Sequence, residues 1–190
     1  MNYFIKILLV NFLIFVVFIE LLSFIFIIQL NITSRPNFIN QSRHHYGDYN
    51  KDFGAWHLPN KSIIHKKSCF EVTYNTNSYG AVDSERELDG KDRSVVIGDS
   101  IVEGYGLEQK YRFSNILENK LSIPHLNFGT SGHFGTTQYN LLYSSLASKF
   151  KHSKVLVLIT VANDFEDDSY TFGKIIHENR YRPYLIKEND

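Results

Sequence analysis

The chain has 190 residues, and its 20 basic and 20 acidic side chains cancel, so it carries no formal net charge. This length accommodates a membrane anchor and one domain of ordinary size, and it excludes a large multidomain protein. The balanced charge excludes the global positive field that drives non-specific nucleic-acid binding, so we expect no nucleic-acid partner. Cys69 is the single cysteine, which excludes an intrachain disulfide and a zinc site of paired cysteines.

The first element predicted along the chain is an apolar helix. Residues 3–30 are almost entirely Ile, Leu, Phe and Val, and a helix over 7–30, about 24 residues at about 1.5 Å each, crosses the hydrocarbon core of a bilayer. No short apolar core with a small-residue cleavage site, typical of a signal peptide, is evident. We therefore predict an uncleaved, single-pass membrane anchor over 1–30. Basic residues on both sides leave its orientation open, and Glu20 is interpreted as a protonated or snorkelling carboxyl.

Two short regions are predicted before the main domain. The first is a polar linker over 31–50, and the second is a small β-rich segment over 51–93. The second region has strand-like pieces at 62–65 and 70–74, which are bounded by turn-forming Asn, Ser and Pro. We expect this segment to pack beside the domain that follows.

Strands and helices alternate over 94–190. Apolar runs without alternation predict buried strands at 94–98, 125–128 and 155–161. Such runs separated by helices are typical of a parallel sheet that is covered on both faces. The predicted fold class is therefore α/β, with a doubly wound (flavodoxin-like) parallel sheet preceded by one transmembrane helix.

Two helices are predicted between these strands. The first ends before Pro124, and Thr136 is the expected N-cap of the second. Their apolar faces are formed by Phe113, Ile116, Leu117 and Leu121, and by Tyr139, Leu142, Tyr143, Leu146 and Phe150. Residues 182–187 have the pattern of a further strand.

The ends of the three predicted strands carry the residues of chemical interest, because parallel sheets bind ligands beyond the carboxyl ends of their strands. These ends carry Gly98-Asp99-Ser100, the stretch 129–132, and Asn163-Asp164. We expect all three to meet at one edge of the sheet.

An acyl-transfer site needs a nucleophile, a base and donors that face the developing oxyanion. Ser100 is the candidate nucleophile. The backbone N–H groups of Ser100 and Gly132, together with the side-chain amide of Asn163, are the candidate oxyanion donors. The carboxylate of Asp99 is expected to organise the turn through local hydrogen bonds.

These motifs resemble a known family. Gly98-Asp99-Ser100, Asn127-x-Gly-x-Ser-Gly132 and Asn163-Asp164 look like the first three sequence blocks of the SGNH, or GDSL, hydrolase superfamily, in order and at successive strand ends. The resemblance covers about 94–164, and the segments around Trp56-His57 and 77–80 are similar to the preceding region of membrane-anchored members. It implies that Ser100 is the catalytic nucleophile and that Gly132 and Asn163 are oxyanion-hole residues.

One block of the family is missing from the sequence. Members supply the general base and its orienting acid from an Asp-x-x-His block near the carboxyl end of the domain, and no aspartate here has a histidine at that spacing. Either the chain is the amino-terminal part of a longer hydrolase, or it is a shortened relative that has lost catalysis. The first is favoured, because a doubly wound domain adds at least two further strands. We therefore interpret 94–190 as the amino-terminal part of a C-terminally incomplete domain.

Two further features are interpreted as structural. His133 is a candidate replacement base, but a polar loop residue is favoured, because a base also needs a carboxylate on its other nitrogen. The acidic run 166–168 beside Asp164 is interpreted as solvated, because adjacent acids alternate in direction and rarely converge on a metal. We expect neither a metal nor a cofactor.

The leading hypothesis is a membrane-tethered serine esterase or acyl-ester hydrolase/transferase. From the resemblance alone, it acts outside the cytoplasm at a bacterial inner membrane, on O-acylated glycans or similar esters. The alternative is a truncated, catalytically inactive binding or scaffold protein on the membrane. A nucleotide-binding protein is disfavoured because no Gly-x-Gly-x-x-Gly follows the first strand.

Overall fold

The computed structural model of the protein describes residues 3–26, 50–67, 70–176 and 181–186, with the backbone alone at 174–176. The chain divides into two compact units, one of residues 1–41 and 66–71 and one of residues 42–65 and 72–190. Apart from its last residue, the linker predicted over 31–50 lies outside the described residues.

The first unit contains helix α1, Tyr3–Phe24. Its 22 residues rise about 33 Å at about 1.5 Å each, and none of them is buried. This helix is long and apolar enough to cross a membrane. A signal sequence near an N-terminus can have the same length and composition. It begins four residues before the predicted span 7–30 and ends at Phe24, and the end of that span lies outside the described residues.

The sheet of the second unit is parallel and has three strands. Strand β3, Ser94–Gly98, lies in the centre, between β4, His125–Gly129, and β5, Lys154–Val157. All three strands are parallel, and Ser94 lies opposite both His125 and Lys154. The three predicted strands therefore form in one sheet, and their carboxyl ends meet at one edge. The fold is mixed α/β.

Helices and a separate two-stranded sheet complete the described structure. Strands β1 and β2 pair with each other, and short 3-10 turns occupy 109–111 and 147–149. The bounds are β1 Ser62–Lys67, β2 Phe70–Asn75, α2 Ser100–Glu103, α3 Phe113–Leu121, α4 Thr136–Ser145, α5 Asp164–Asp167 and α6 Tyr170–Ile176.

Strand β5 differs from the other two strands in its exposure. All positions of β3 and β4 are buried, as predicted, whereas Val157 is 50 % exposed and Val161 beyond it is 76 % exposed. The strand ends at Val157 rather than at 161, and within the described residues no strand pairs with its outer edge. The prediction of a strand buried on both faces was therefore wrong for β5. The further strand predicted over 182–187 does not form at the described residues 181–186.

The two central helices form where they were predicted, with different packing. Helix α3 ends at Leu121, where Ser122 adopts a left-handed φ of 55° before Pro124. Its predicted apolar face stays partly open, since Phe113 and Leu121 are exposed. Helix α4 ends at Ser145, so Phe150 lies beyond it.

The hydrophobic core joins the sheet to the segment that precedes it. Trp56 is buried, contacts Phe53 edge to face at 5.7 Å between ring centroids, and donates its Nε1–H to Tyr79 O at 2.8 Å. The other large buried members include Ile97, Leu126, Phe128, Phe134, Leu142 and Phe150. The residues around Trp56 therefore pack into the same core as the strands that position the candidate site.

Candidate active site

Ser100 is the first residue of α2, directly after strand β3. The Asp99 carboxylate caps this helix by accepting the Ile101 N–H at 2.9 Å, which confirms the predicted role of Asp99. The helix ends after one turn at Gly104, which has a φ of 78° and donates its N–H to Ser100 O at 3.1 Å. This geometry holds Ser100, half-buried, at the strand end.

The last residue of α2, Glu103, is fully buried at the same edge. Its carboxylate accepts the backbone N–H of Ser131, and its Oε2 lies 3.5 Å from Nε2 of the buried His57. Burial opposes the charged form, but the hydrogen bonds and charge of His57 and the Ser131 N–H outweigh it and lower the pKa of Glu103. Glu103 is therefore ionised inside the protein.

Gly132 lies in the loop after β4, where the sequence places a second oxyanion donor. The loop begins with the Thr130 N–H donating to Gly98 O at 3.2 Å, so it is joined to the central strand. Gly132 is buried, and its N–H donates to Thr130 Oγ1 at 3.2 Å. This predicted donor thus has a hydrogen-bond partner inside its own loop.

Asn163 precedes α5, after the turn that follows β5. Its Nδ2 donates to Asp167 Oδ2 at 3.0 Å. A side-chain amide carries two N–H donors, so this bond uses one of the two. The structure therefore places Ser100, Gly132 and Asn163 after three adjacent strand ends, each in a turn with its own local hydrogen bonds.

Asp164, next to Asn163, is fully buried. Its carboxyl group accepts hydrogen bonds from helix α4 and from the loop after β5. Its Oδ2 accepts the Tyr139 hydroxyl at 2.9 Å and the Thr160 N–H at 2.8 Å. Desolvation raises the pKa of Asp164, and the charges of Asp99 and Asp167 add to this effect. Since Asp99 is adjacent to Ser100, the first and third strand ends lie within electrostatic reach of each other.

The acidic run 166–168 was expected to be solvated, but two of its three residues make contacts inside the protein. Asp168 caps α4 from outside, because its Oδ1 accepts the Thr137 N–H and its Oδ2 the Thr136 N–H, both at 3.0 Å. Thr136 is therefore the first helical residue and not the N-cap, a position held by Gly135. Asp167 is buried and lies 3.7 Å from Arg182. Glu166 is exposed, as expected.

Within the described residues, His133, the candidate replacement base, makes no hydrogen bond to Ser100. His133 is exposed, with a left-handed φ of 58°, and its carbonyl oxygen accepts a hydrogen bond from Arg182. His125 lies at the opposite, amino end of the sheet, and His177 lies outside the described residues. In the described parts of the chain, no side chain hydrogen-bonds to the Ser100 hydroxyl, and no group of three or more potential ligands could hold a metal ion.

Comparison with models of protein families, with curated proteins and with solved structures finds no match to this chain.

Sequence reasoning missed the buried polar contacts behind the three strand ends. Glu103 lies in the same motif as Ser100, and His57 was noted only for its resemblance to related proteins. Nothing in the spacing of these two residues indicates that they meet, because 46 positions separate them. A charged residue in a turn of otherwise apolar and small residues was the available signal, since such a group is rarely buried without a partner.

Proposed function

We propose that this protein is a membrane-anchored serine esterase or acyl-ester hydrolase/transferase of the SGNH type. The observation that carries the proposal is the meeting of three strand ends at one edge of a parallel sheet. One end bears a serine in a capped turn, the second a buried glycine, and the third an asparagine amide. A nucleophile and oxyanion donors are the groups that acyl transfer needs there.

The sheet supports the finer fold assignment. With the strands numbered in chain order, the spatial order is second, first, third, with β3 in the centre. This is the beginning of the 2-1-3-4-5 order of flavodoxin-like, doubly wound sheets, which bind ligands at the carboxyl ends of their strands. We therefore assign the doubly wound architecture as part of the proposal.

The proposed reaction has two steps. Ser100 Oγ attacks the acyl carbon of an ester, and the Ser100 proton passes to a base while the oxyanion is held by the Ser100 and Gly132 N–H groups and the Asn163 amide. The base gives this proton to the leaving alcohol. Water or a second alcohol then attacks the acyl carbon and loses a proton to the base, and the bond to Ser100 Oγ breaks as Oγ takes that proton back. In the family that the sequence resembles, the base is a histidine of an Asp-x-x-His block.

The substrate class and the location are part of the same proposal. Helix α1 anchors the protein in a bilayer, and the α/β domain faces the extracytoplasmic side of a bacterial inner membrane. The substrates are O-acylated glycans or similar esters. The length and apolar composition of α1 support the anchor, and the resemblance of the sequence motifs supports the substrate class.

The full-length gene product, kept in membranes, is treated with a fluorophosphonate probe, and the modified peptide is identified by mass spectrometry. We expect phosphonylation of Ser100, and none at this position in Ser100→Ala. Ser144→Ala is the matched control, because Ser144 is an exposed serine of α4 whose hydroxyl donates to Asn140 O. Unmodified Ser100 in a folded protein would contradict the proposal. Release of acetate from an O-acetylated glycan then tests the substrate class.

A second function is favoured by a different observation. The Ser100 hydroxyl has no hydrogen-bonded base within the described residues, and the sequence contains no Asp-x-x-His. A catalytically inactive, membrane-anchored binding or scaffold protein has both properties. Binding of an acylated glycan without labelling of Ser100 and without turnover would favour this second function.

A further inference from the structure

One carboxylate joins the two predicted parts of the site that follow β3 and β4. Ser100 begins helix α2 and Glu103 ends it. The Glu103 carboxylate accepts the N–H of Ser131, which directly precedes Gly132. The helix that carries the nucleophile is therefore bonded to the loop that carries an oxyanion donor.

The carboxylate is itself fixed from the opposite side. His57 Nε2 lies 3.5 Å from Glu103 Oε2, and His57 Nδ1 lies 3.0 Å from Gly80 O. Both side chains are buried, with exposed fractions of 0 % for Glu103 and 3 % for His57. A buried carboxylate costs free energy unless it is paired and hydrogen-bonded. His57 and the Ser131 N–H partner Glu103 Oε2, whereas Oε1 has no hydrogen-bond partner within the described residues. The contacts of Oε2 therefore hold the carboxylate in place.

The backbone allows this contact through a glycine. A Cβ at Gly129 would lie 2.1 Å from Glu103 N and 2.5 Å from the Val102 carbonyl carbon, so only glycine lets α2 approach the end of β4 this closely. This approach brings Glu103 within reach of the Ser131 N–H.

We propose that Glu103 is a positioning residue, whose carboxylate fixes the 130–132 loop to the helix that carries Ser100 and is held in place by His57. The effect of Glu103 on catalysis rests on the function proposed above. The anchoring of the loop by Glu103 does not depend on that function, and a separate measurement tests it.

The first measurement is amide hydrogen exchange of the peptide 129–134, in the full chain in detergent, by mass spectrometry. Glu103→Ala removes the acceptor of the Ser131 N–H, so we expect exchange there to accelerate roughly tenfold or more, as loss of a hydrogen bond to a charged group implies. Glu103→Gln keeps an acceptor and the side-chain shape but loses the charge, so we expect an increase of about fivefold.

Glu118→Ala is the matched control. Glu118 also accepts a backbone N–H, that of His125 at 3.2 Å, and it pairs with Arg86 at 2.8 Å, but it lies at the amino end of the sheet. We expect this variant to leave the exchange of 129–134 at the wild-type rate. A general loosening of the fold would instead accelerate exchange in this peptide in both alanine variants.

The second measurement is the rate at which a fluorophosphonate modifies Ser100. We expect a reduction of roughly tenfold or more in Glu103→Ala, substantial rescue in Glu103→Gln, and no change in Glu118→Ala. Faster exchange with slower labelling supports both the anchoring and the proposed function. Faster exchange with unchanged labelling supports the anchoring and contradicts an effect of Glu103 on catalysis, whereas absence of labelling at Ser100 in the wild-type protein contradicts the proposed function.

Exchange of 129–134 at the wild-type rate in a folded Glu103→Ala protein overturns the inference, whatever the labelling rate. If Glu103→Ala does not fold, Glu103→Gln decides in the same way, and wild-type exchange in that variant overturns the inference.

Discussion

Glu103 and Asp164 are both fully buried carboxyl groups, each close to a predicted site residue, yet their surroundings act in opposite directions. His57 and the Ser131 N–H surround Glu103, and its pKa is lowered despite burial. Asp164 lies near Asp99 and Asp167, and desolvation together with these charges raises its pKa. The pKa of the buried carboxyl group is therefore lowered on the Ser100 side of the site and raised on the Asn163 side.

The same contrast appears in the strands. Strands β3 and β4, which lead to Ser100 and Gly132, are buried at all positions. Strand β5, which leads to Asn163, is largely exposed. The residues that follow Asn163 are hydrogen-bonded to α4 through Asp164 and Asp168.

The largest effect on stability is expected from Gly129→Ala, which disrupts the contact between β4 and the helix α2 that carries Ser100. The new Cβ would lie 2.1 Å from a backbone atom of α2, so the helix must move, and we expect a loss of about 3 kcal/mol in the free energy of unfolding. Urea unfolding followed by the fluorescence of Trp56, the single tryptophan, measures it. Gly132→Ala is the control, since its Cβ meets atoms at 3.2 Å or more. Equal stability of the two variants would contradict this explanation.

A smaller effect on stability is expected from Asp168→Ala, which removes the contact between α4 and the segment that follows Asn163. This change removes the carboxylate that accepts the Thr136 and Thr137 N–H groups, and loss of a helix cap costs about 1 kcal/mol. Glu166→Ala, an exposed change two residues away, is expected to alter stability by less than about 0.5 kcal/mol. If both variants unfold at the same urea concentration, Asp168 does not hold α4.

Because the two pKa values are shifted in opposite directions, the contributions of the two carboxyl groups to stability change in opposite directions with pH. The folded-state pKa of Glu103 is lower than its ordinary value of 4.5, so its stabilising contribution is present above pH 4.5 and is lost as the pH falls through the folded-state value. The folded-state pKa of Asp164 is higher than its ordinary value of 3.8. Its contribution is present below 3.8 and is lost as the pH rises through the folded-state value.

Urea unfolding between pH 3 and pH 7 measures this difference. As the pH rises, we expect Glu103→Gln to become progressively less stable than wild type, and Asp164→Asn to gain stability relative to wild type. The groups facing Glu103 are His57, Arg112 and Tyr74, and those facing Asp164 are Tyr139, Asp99 and Asp167. If the stability of both variants relative to wild type changed in the same direction with pH, the pKa values of Glu103 and Asp164 would not be shifted in opposite directions.

The sequence predicted the elements of the sheet and the helices between its strands, because each has a local pattern. The apolar run before Gly98 and the helical spacing after Arg112 specify structure without distant contacts. Exposure was predicted less well, since a continuous apolar run such as that after Lys154 does not show which neighbours cover it.

The candidate site was predicted in the same uneven way. The positions of Ser100, Gly132 and Asn163 after strand ends follow from the motifs and from the geometry of parallel sheets. The contacts of Glu103 with His57 and of Asp168 with α4 join residues that are far apart in sequence, and no local pattern encodes such pairs. Their roles became apparent only from the folded chain.

Asn163→Ala tests the central claim most directly, because the claim is that the ends of β3, β4 and β5 form one acyl-transfer site. The measurement is the rate at which a fluorophosphonate modifies Ser100 in the full-length protein, with unchanged Trp56 fluorescence as the criterion of folding. We expect a rate about a hundredfold lower than wild type, as loss of one oxyanion donor implies, and an unchanged rate in Asn140→Ala, an exposed asparagine of α4. A wild-type labelling rate in folded Asn163→Ala would contradict the claim.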